Sequence, residues 1–464
     1  MRPPAAGEPL VSHPVSERVR RIHFPHPLAL LVSCILLAAA LTWILPAGRY
    51  QRHEDPVTGR SLVVPGTYAP VPATPVGPLD ALDAIPKGML DAGLIIFYVF
   101  LVGGAFSVVD KTGALARLVN SMVRMLSGRG LLVIPIAGVA FATGGMLIQM
   151  EEELIAFVPV LLLLTRRLGY NPMVAVSMSL GASLVAASFS PFNPFQVGIA
   201  QKVADLELAS GWQFRLAFLV PAVAIWLAAT MVYAKRTRMA PEQVEDDAGP
   251  GAGWRHAAVL VVVLASFVVF VVGELKYGWD FDRLAVVFFT MGVLAGLIGG
   301  LGITGTAEGF VEGFRAIAYA SLLIGFARAI YVVMDQGNIV DTIVHGLFTP
   351  VAGLPVTVSA LAMMGLHTLV HLPVPSTSGH AVLTLPVLVP LSDLIGLSRQ
   401  VTVLAYQYGA GLTNMLWPTN GALMAMLAAA GVTFDAWLRF AVPVLVGLFV
   451  LAAVAIGVGV AVGV

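Results

Sequence analysis

The chain has 464 residues, of which 58% are hydrophobic and 11% charged, and its mean hydropathy of +0.89 excludes an ordinary soluble domain. Lysines and arginines number 26 and so do aspartates and glutamates, so no net basic field points to nucleic acid. The single cysteine excludes a disulfide framework or a thiolate metal cluster within one chain.

In chain order, residues 1–26 read as a cytoplasmic N-terminal arm carrying Arg18, Arg20 and Arg21. The apolar run from Pro27 to Leu45 is long enough to span a bilayer of about 30 Å. It reads as a retained helix and not a secretory signal, because the leader is long and no small-residue cleavage site follows "WILPAGRY". A polar, proline-bearing loop occupies 47–87. Further spans are expected near 92–110, 131–149, 172–190, 214–234, 256–273, 283–301, 316–334, 352–371, 400–417 and 440–463. Shorter apolar pieces at 154–165, 195–206, 380–396 and 421–431 are marginal for spanning alone, and read as parts of re-entrant hairpins and half-helices. Lys111, Arg117, Arg124, Arg129, Arg166, Arg167, Lys235, Arg236 and Arg238 alternate correctly if all are cytoplasmic, which puts 47–87 outside.

Shifting the chain by 227 residues pairs Pro159 with Pro386, Val160 with Val387, Leu161 with Leu388, Gly169 with Gly396, Pro191 with Pro418 and Asn193 with Asn420, without a gap. The reading is an internal repeat. The first copy is expected over 27–234, with a hairpin near 135–167 and a broken helix over 172–206. A cytoplasmic linker, 235–255, follows, then a linking helix and outer loop at 256–282. The second copy is 283–464, with a hairpin near 352–397 and a broken helix over 400–431. One additional span between the copies gives them opposite orientations. The basic residues of the first copy and their scarcity in the matching stretches of the second agree. The expected fold is therefore an all-α polytopic membrane protein, an inverted-repeat transporter with two re-entrant hairpins and two broken helices, binding its solute at the midplane.

Within hydrocarbon every backbone polar group needs a partner, so a broken helix persists only inside protein or along a wet cavity. The break "SPFNP" offers Ser188, Ser190 and Asn193; "GLTNMLWPTNG" offers Thr413, Asn414, Thr419 and Asn420. The first hairpin tip, in "GGMLIQMEEELIAF", carries Glu151, Glu152 and Glu153. The second, in "HLPVPSTSGHAVLTLP", carries Ser376, Thr377, Ser378, Gly379 and His380. Serine and threonine ahead of an apolar run cap a helix whose N-terminus suits a carboxylate, while carboxylates at membrane depth call for a cation. The expected solute site is Glu151, Glu152, Asn193, Ser376, Thr377, Ser378, Gly379, His380, Asn414, Thr419 and Asn420. The expected ion-coupling set is Glu153, Ser188, Ser190, Asn193, Thr413 and Asn420, with Na⁺ at the helix breaks or H⁺ as the coupling ion and no other cofactor. His367, His371 and His380 read as packing or hydrogen-bonding groups, with His380 the one placed to meet solute. Arg328, inside a span, is either a functional ion or half of a structural pair. Arg215 beside Trp212 and Arg439 beside Trp437 read as interfacial anchors.

"LTWILPAGRY" with "VVPGTYAPV", "LVGGAFSVVDKTGAL", "GGMLIQMEEELIAFVPVLL", "VPSTSGHAVLTLPVLVPLSDLIGLSRQ" and "YQYGAGLTNMLWPTNGALM" resemble the YfcC family of basic amino-acid antiporters, grouped with the anaerobic four-carbon dicarboxylate carriers in the Ion Transporter superfamily. The match runs over nearly the whole chain. The resemblance implies a dimerisation scaffold, hence a homodimer, and a mobile transport region moving as an elevator. It places solute and Na⁺ sites at hairpin tips and helix breaks, here Glu151 and Glu152, Ser188 to Asn193, Ser376 to Gly379 and Thr413 to Asn420. His380 stands where many relatives would be expected to carry lysine. The expectation is a secondary transporter in the bacterial cytoplasmic membrane, multi-pass with the N-terminus inside. Its partners are a small solute and the lipid bilayer, not nucleic acid, and it is not an enzyme. Glutamates at one tip and a capped N-terminus at the other favour an amino acid, zwitterionic or basic. A four-carbon dicarboxylate is the alternative and an ion channel the remote one.

Overall fold

The computed structural model describes residues 26–54, 61–125, 130–241, 253–277, 279 and 281–464. The basic arm with Arg18, Arg20 and Arg21, the arginines at 124 and 129 as side chains, and the middle of the 235–255 linker lie outside what is described. Helices follow one another as α1 Pro27–Ile44, α2 Pro78–Asp91, α3 Gly93–Lys111, α4 Ala114–Met125, α5 Val133–Ile148, α6 Glu153–Ala156, α7 Val158–Arg167, α8 Pro172–Val176, α9 Ala182–Ser188, α10 Ile199–Val203, α11 Trp212–Arg236, α12 Gly253–Tyr277, α13 Phe281–Ile298, α14 Gly302–Gln336, α15 Val340–Phe348, α16 Val356–Val370, α17 Thr377–Ile395, α18 Arg399–Thr413, α19 Gly421–Ala430 and α20 Phe434–Val462. A π-helical stretch, Ser177–Gly181, joins α8 to α9, and another, Pro194–Gly198, leads into α10. Among the described residues, nine helices are long and apolar enough to cross a membrane.

The polar segment after α1 is more ordered than its loop-like composition implied. Strand β1 Gly48–Arg49 pairs antiparallel with β4 Ala69–Pro70, and β2 Arg52–Glu54 with β3 Ser61–Val63. Pro78–Asp91 is a helix packed along α14. Gly88 permits that approach, since a Cβ there would meet the Ala329 amide nitrogen and the Gly325 carbonyl, each at 2.6 Å. The span expected at 316–334 is the end of a 35-residue helix, because Gly302 to Arg315 contains no proline and its charges fall on exposed faces. The span expected at 352–371 is only the 15 residues of α16.

Local chemistry explains the segment boundaries. Gly169 at φ +74° and Gly396 at φ +73° end α7 and α17 in the left-handed region open to glycine. Two residues later Asn171 and Ser398 cap the next helices, accepting from the amides of Val174 at 3.4 Å and Val401 at 3.1 Å. The continuous run Pro172–Ser188 stops, and the chain is non-helical until Pro194. There the Asn193 side chain accepts from the Phe195 and Gln196 amides, both at 3.0 Å. Likewise α18 ends at Thr413, and Asn420 starts α19 by accepting from Leu423 N–H at 2.8 Å. Each asparagine follows a proline two residues back that cannot continue the preceding helix.

Two assemblies meet in the core. Helix α14 lies along α2, α3 and α19, and α13 along α3. On the other side α5 packs on α9, α16 on α18, α17 on α18 and α10, and α19 on α6 to α8. Arg215 is not an interfacial anchor: it is 1% exposed. It donates to Gln407 Oε1 at 3.0 Å, Gln400 Oε1 at 3.0 Å and the Ser210 carbonyl at 2.8 Å. Trp437 is fully buried too, its indole donating to the Met415 carbonyl at 2.9 Å. Arg439, by contrast, is exposed and paired with Asp435 at 2.8 Å. The two tryptophan–arginine pairs thus sit in unlike environments.

Candidate functional site

The chain between α5 and α6, and that between α16 and α17, form two tips that touch. Gln149 ends α5 with φ +52°, a left-handed conformation uncommon outside glycine, and this aims its amide across the gap. Its Nε2 donates to Thr377 Oγ1 at 2.7 Å and to Glu151 Oε1 at 3.2 Å. Glu151 is buried, and its second oxygen accepts from Asn420 Nδ2 at 3.4 Å. Asn420 Nδ2 also donates to Asn414 Oδ1 at 2.9 Å. Glu153 turns back to accept from the Glu151 amide at 3.0 Å. On the facing tip Ser376 caps α17 by accepting from Gly379 N–H at 3.2 Å.

These groups line a cavity of about 570 Å³, within the usual size of a small-molecule site. One wall is made by the two tips and the second break, with Gln149, Glu151, Glu152, Glu153, Ser376, Thr377, Ser378, Asn414, Thr419 and Asn420. The rest of the lining comes from the end of α2 with Asp91, the start of α13 with Phe281 and the preceding Trp279, and α14 with Ile324 and Arg328. Asp91 and Arg328 form an ion pair, and the guanidinium also lies 4.7 Å from the Tyr331 ring centre. Two buried atoms on this lining, Gln149 Oε1 and Thr419 Oγ1, have no hydrogen-bond partner among the described residues. Unpaired buried polar atoms are costly, so both suit a bound guest.

The residues singled out in the sequence divide into two sets. Glu151, Glu152, Glu153, Ser376, Thr377, Ser378, Asn414, Thr419 and Asn420 come together on the cavity. Ser188, Ser190, Asn193, Gly379, His380 and Thr413 do not line it. Ser188 and Thr413 donate to the Leu184 and Gly409 carbonyls of their own helices. Ser190 donates to the Met146 carbonyl at 2.6 Å and Asn193 Nδ2 to that of Gly145 at 3.1 Å. The first break therefore fastens itself to α5. His380, fully buried, lies among His367, His371 and Tyr406 and does not face the cavity. Sequence reasoning missed Gln149, Asp91, Trp279 and Phe281. Gln149 was within reach, since the 227-residue shift pairs it with Ser376.

The chain is 30% identical over 495 residues to "Putative basic amino acid antiporter YfcC" of Escherichia coli (strain K12), covering 95% of this chain and 97% of that one. It is 26% identical over 487 residues to an uncharacterized protein of Haemophilus influenzae, covering 93% and 96%. Among solved structures, the YdaH transporter of Alcanivorax borkumensis aligns at 18% identity and a TM-score of 0.41, covering 94% of this chain and 99% of that one. MtrF of Neisseria gonorrhoeae aligns at 18% and 0.39, covering 93% and 95%. The family model described as DcuC, C4-dicarboxylate anaerobic carrier, matches residues 24–461, so the chain belongs to that family and is a secondary transporter of the DcuC/YfcC type.

Proposed function

We propose that the chain exchanges a basic amino acid across the bacterial cytoplasmic membrane, binding it in the cavity between the two tips. The observation that carries this reading is the charge on the lining. Four carboxylates, Asp91, Glu151, Glu152 and Glu153, face a single cation, Arg328, and Arg328 is already paired with Asp91. A low-dielectric pocket of that sign recruits positive charge. The glutamates and the unpaired Gln149 Oε1 receive the side-chain cation. The solute's carboxylate goes to the N-terminus of α17 at Ser376 to Ser378, or to Arg328 in exchange for Asp91. The name of the Escherichia coli relative supports the same class.

In this reading the N-terminus is cytoplasmic, the 227-residue repeat is inverted, and the tips belong to re-entrant hairpins. The wall of tips and breaks moves as an elevator against a dimeric scaffold of α3, α13 and α14. The packing of α3 and α13 on α14, and of α5, α16 and α17 on the helices of the two breaks, supports that division, with α14 against α19 and α3 against α6 as the surfaces that would slide. A four-carbon dicarboxylate is the second reading, favoured by the family's description and by the capped N-terminus at Ser376; it requires cations, Na⁺ or H⁺, to enter beside the glutamates.

Counterflow in proteoliposomes decides between them. Liposomes loaded with arginine, lysine or succinate are challenged with the labelled compound, in wild type and Glu152→Gln. The basic reading expects trans-stimulated arginine or lysine flux that falls at least about tenfold in the variant, equivalent to about 1.4 kcal/mol of lost ionic recognition. Succinate counterflow with no arginine flux refutes it.

A further inference from the structure

Behind the second tip three buried histidines are joined in a line. His371 Nε2 lies 2.7 Å from Asn414 Oδ1, His371 Nδ1 lies 3.4 Å from His380 Nδ1, and His380 Nε2 lies 2.8 Å from His367 Nδ1. His367 Nε2, at the far end, is buried without a hydrogen-bond partner among the described residues.

The proton positions follow from the cap of α19. Asn420 Oδ1 accepts the Leu423 amide, so its Nδ2 is the end that meets Asn414, and Asn414 must present Oδ1 there. That oxygen can only accept, so His371 Nε2 carries hydrogen. In a neutral His371, Nδ1 is then bare and takes its hydrogen bond from His380 Nδ1–H. His380 Nε2 is bare in turn and accepts from His367 Nδ1–H. The line ends in a bare His367 Nε2, so all three tautomers are set and one open proton acceptor is left over.

We propose that His367, His371 and His380 together bind one proton, and that this proton is the counter-ion exchanged for a cationic solute. The counter-ion half rests on the basic amino-acid reading above; the one-proton site does not. A proton added at His367 Nε2 releases Nδ1–H to His380 Nε2, which releases its own Nδ1–H to His371 Nδ1. One proton enters, three N–H bonds form, two break, and the triad passes from neutral to singly positive with the charge able to reside on His371. The Asn414 amide does not relay protons, so the charge stops there, linked to Glu151 through Asn414 and Asn420. A positive triad and a cationic solute then compete for the field of the same glutamates.

The surroundings leave the triad as the titrating centre. Tyr406 of α18 packs against His367 and His380 at 5.5 and 5.7 Å between ring centres, its hydroxyl donating to the Thr377 carbonyl at 2.7 Å. Phe348 lies 5.0 Å from His367, a ring contact that suits a cationic imidazole. Apart from the Tyr408 hydroxyl, buried without a hydrogen-bond partner among the described residues, the other titratable groups on the elements packed against α16 and α17 are engaged elsewhere or turned outward. Asp341 pairs with Arg52, His345 with Tyr50, Arg399 with Asp393, Asp435 with Arg439, Tyr408 rings with Phe189, and Lys202 is exposed.

Two experiments test this. In nanodiscs with ¹⁵N-labelled histidine, single substitutions assign the three imidazoles. The expected result is one shared transition, a single proton distributed over all three, lost in both His380→Gln and the smaller His380→Asn. Three independent transitions, or no protonation of the triad at any pH where the protein stays folded, overturns the one-proton site whatever the solute. In proteoliposomes containing a pH-indicator dye, external labelled arginine should expel protons in wild type. His371→Gln, which keeps a side-chain amide able to donate to Asn414, should lose proton release while retaining arginine–arginine exchange. Wild-type proton release by His371→Gln overturns the counter-ion role. Absence of arginine flux in wild type overturns it together with the basic amino-acid reading, leaving the titration to judge the triad alone.

Discussion

Asn420 does two separable jobs, and three substitutions take them apart. Its Oδ1 caps α19 at 2.8 Å, while its Nδ2 serves Asn414 at 2.9 Å and Glu151 at 3.4 Å. Serine retains a capping oxygen but no amide donor, so Asn420→Ser removes only the second job. Its cost is one good amide hydrogen bond, about 1 kcal/mol, and a long one to a carboxylate worth about the same. Asn420→Ala removes the cap as well, for a further loss of about 1 kcal/mol. Asn420→Asp keeps the cap but turns an oxygen toward both Asn414 Oδ1 and Glu151, adding another carboxylate to the lining. Thermal denaturation of the purified transporter should therefore rank wild type, then serine, then alanine. Solute binding should be weakened in all three, with that of the aspartate variant the most sensitive to salt and pH. Equal stability of the serine and alanine variants would refute the cap. Wild-type solute binding by serine would refute the amide's place in the site.

Other consequences are as specific. A Cβ at Gly411 would lie 2.6 Å from Gln196 Nε2 and 2.9 Å from Ser188 Cα, so Gly411→Ala should overpack α18 against the first break, costing about 1–3 kcal/mol and showing as a lowered melting temperature. Arg215→Met strands the acceptors of Gln407 and Gln400, while the Ser210 carbonyl keeps its bond from Gln201 Nε2 at 2.9 Å, and should destabilise by about 1–3 kcal/mol per buried group left unpaired, with Arg215→Lys intermediate; an unchanged melting temperature would contradict the burial of this guanidinium. Outside the spans, burial first, then the Asp341 carboxylate and Tyr68, push the Tyr50 phenol up to about 12. An acid whose folded value is raised stabilises the fold fully below its unfolded value of about 10 and loses that contribution as pH climbs toward the folded one. Tyr50→Phe should accordingly flatten the alkaline loss of stability between those limits, and an identical alkaline profile would count against it.

How much of this was legible in the sequence depends on whether the deciding interaction is local. The prolines at 191 and 418 and the asparagines two residues on act within a single turn, and the 227-residue shift found them together with both left-handed glycines. Hydropathy located most helices but undershot α14, because burial against α2 and α3 stabilises helical turns that no bilayer-length window registers, and overran α16, which begins only after Pro355. The strands and the helix between 48 and 91 were hidden by polar, proline-bearing composition, although Pro78 at a helix start is a favourable placement. Arg215 and Trp437 looked like surface anchors because their neighbours in sequence are interfacial in type, while the partners that bury them lie roughly 190 and 20 positions away. The facing of side chains into one cavity is of the same non-local kind. Nothing in residues 149–153 states that Gln149 reaches Thr377 or that Glu151 meets Asn420.

The two breaks contribute unequally to the cavity between the tips, and the asymmetry traces to the second hydrogen bond of each capping asparagine. Asn193 and Asn420 cap with the same atom, but Asn193 spends its amide on the Gly145 carbonyl, closing the first break onto α5, whereas Asn420 turns its amide to Glu151 and Asn414. Gln196 and Gln407 complete the closure: Gln196 Nε2 donates to the Gln407 carbonyl at 2.9 Å, and Gln407 Nε2 to that of Ser190 at 2.7 Å. A backbone freed by a broken helix can be paid back by protein or left for a guest. In the first break the protein has claimed the donors of Ser190, Asn193 and Gln196 for itself, although Gln196 Oε1 is buried without a partner among the described residues. In the second, Thr419 Oγ1 has no partner among the described residues and the carboxylates stand close by. The same local device, proline followed by a capping asparagine, thus closes the first break, while in the proposed reading it opens the second to solute, and there changes of solute charge should be felt.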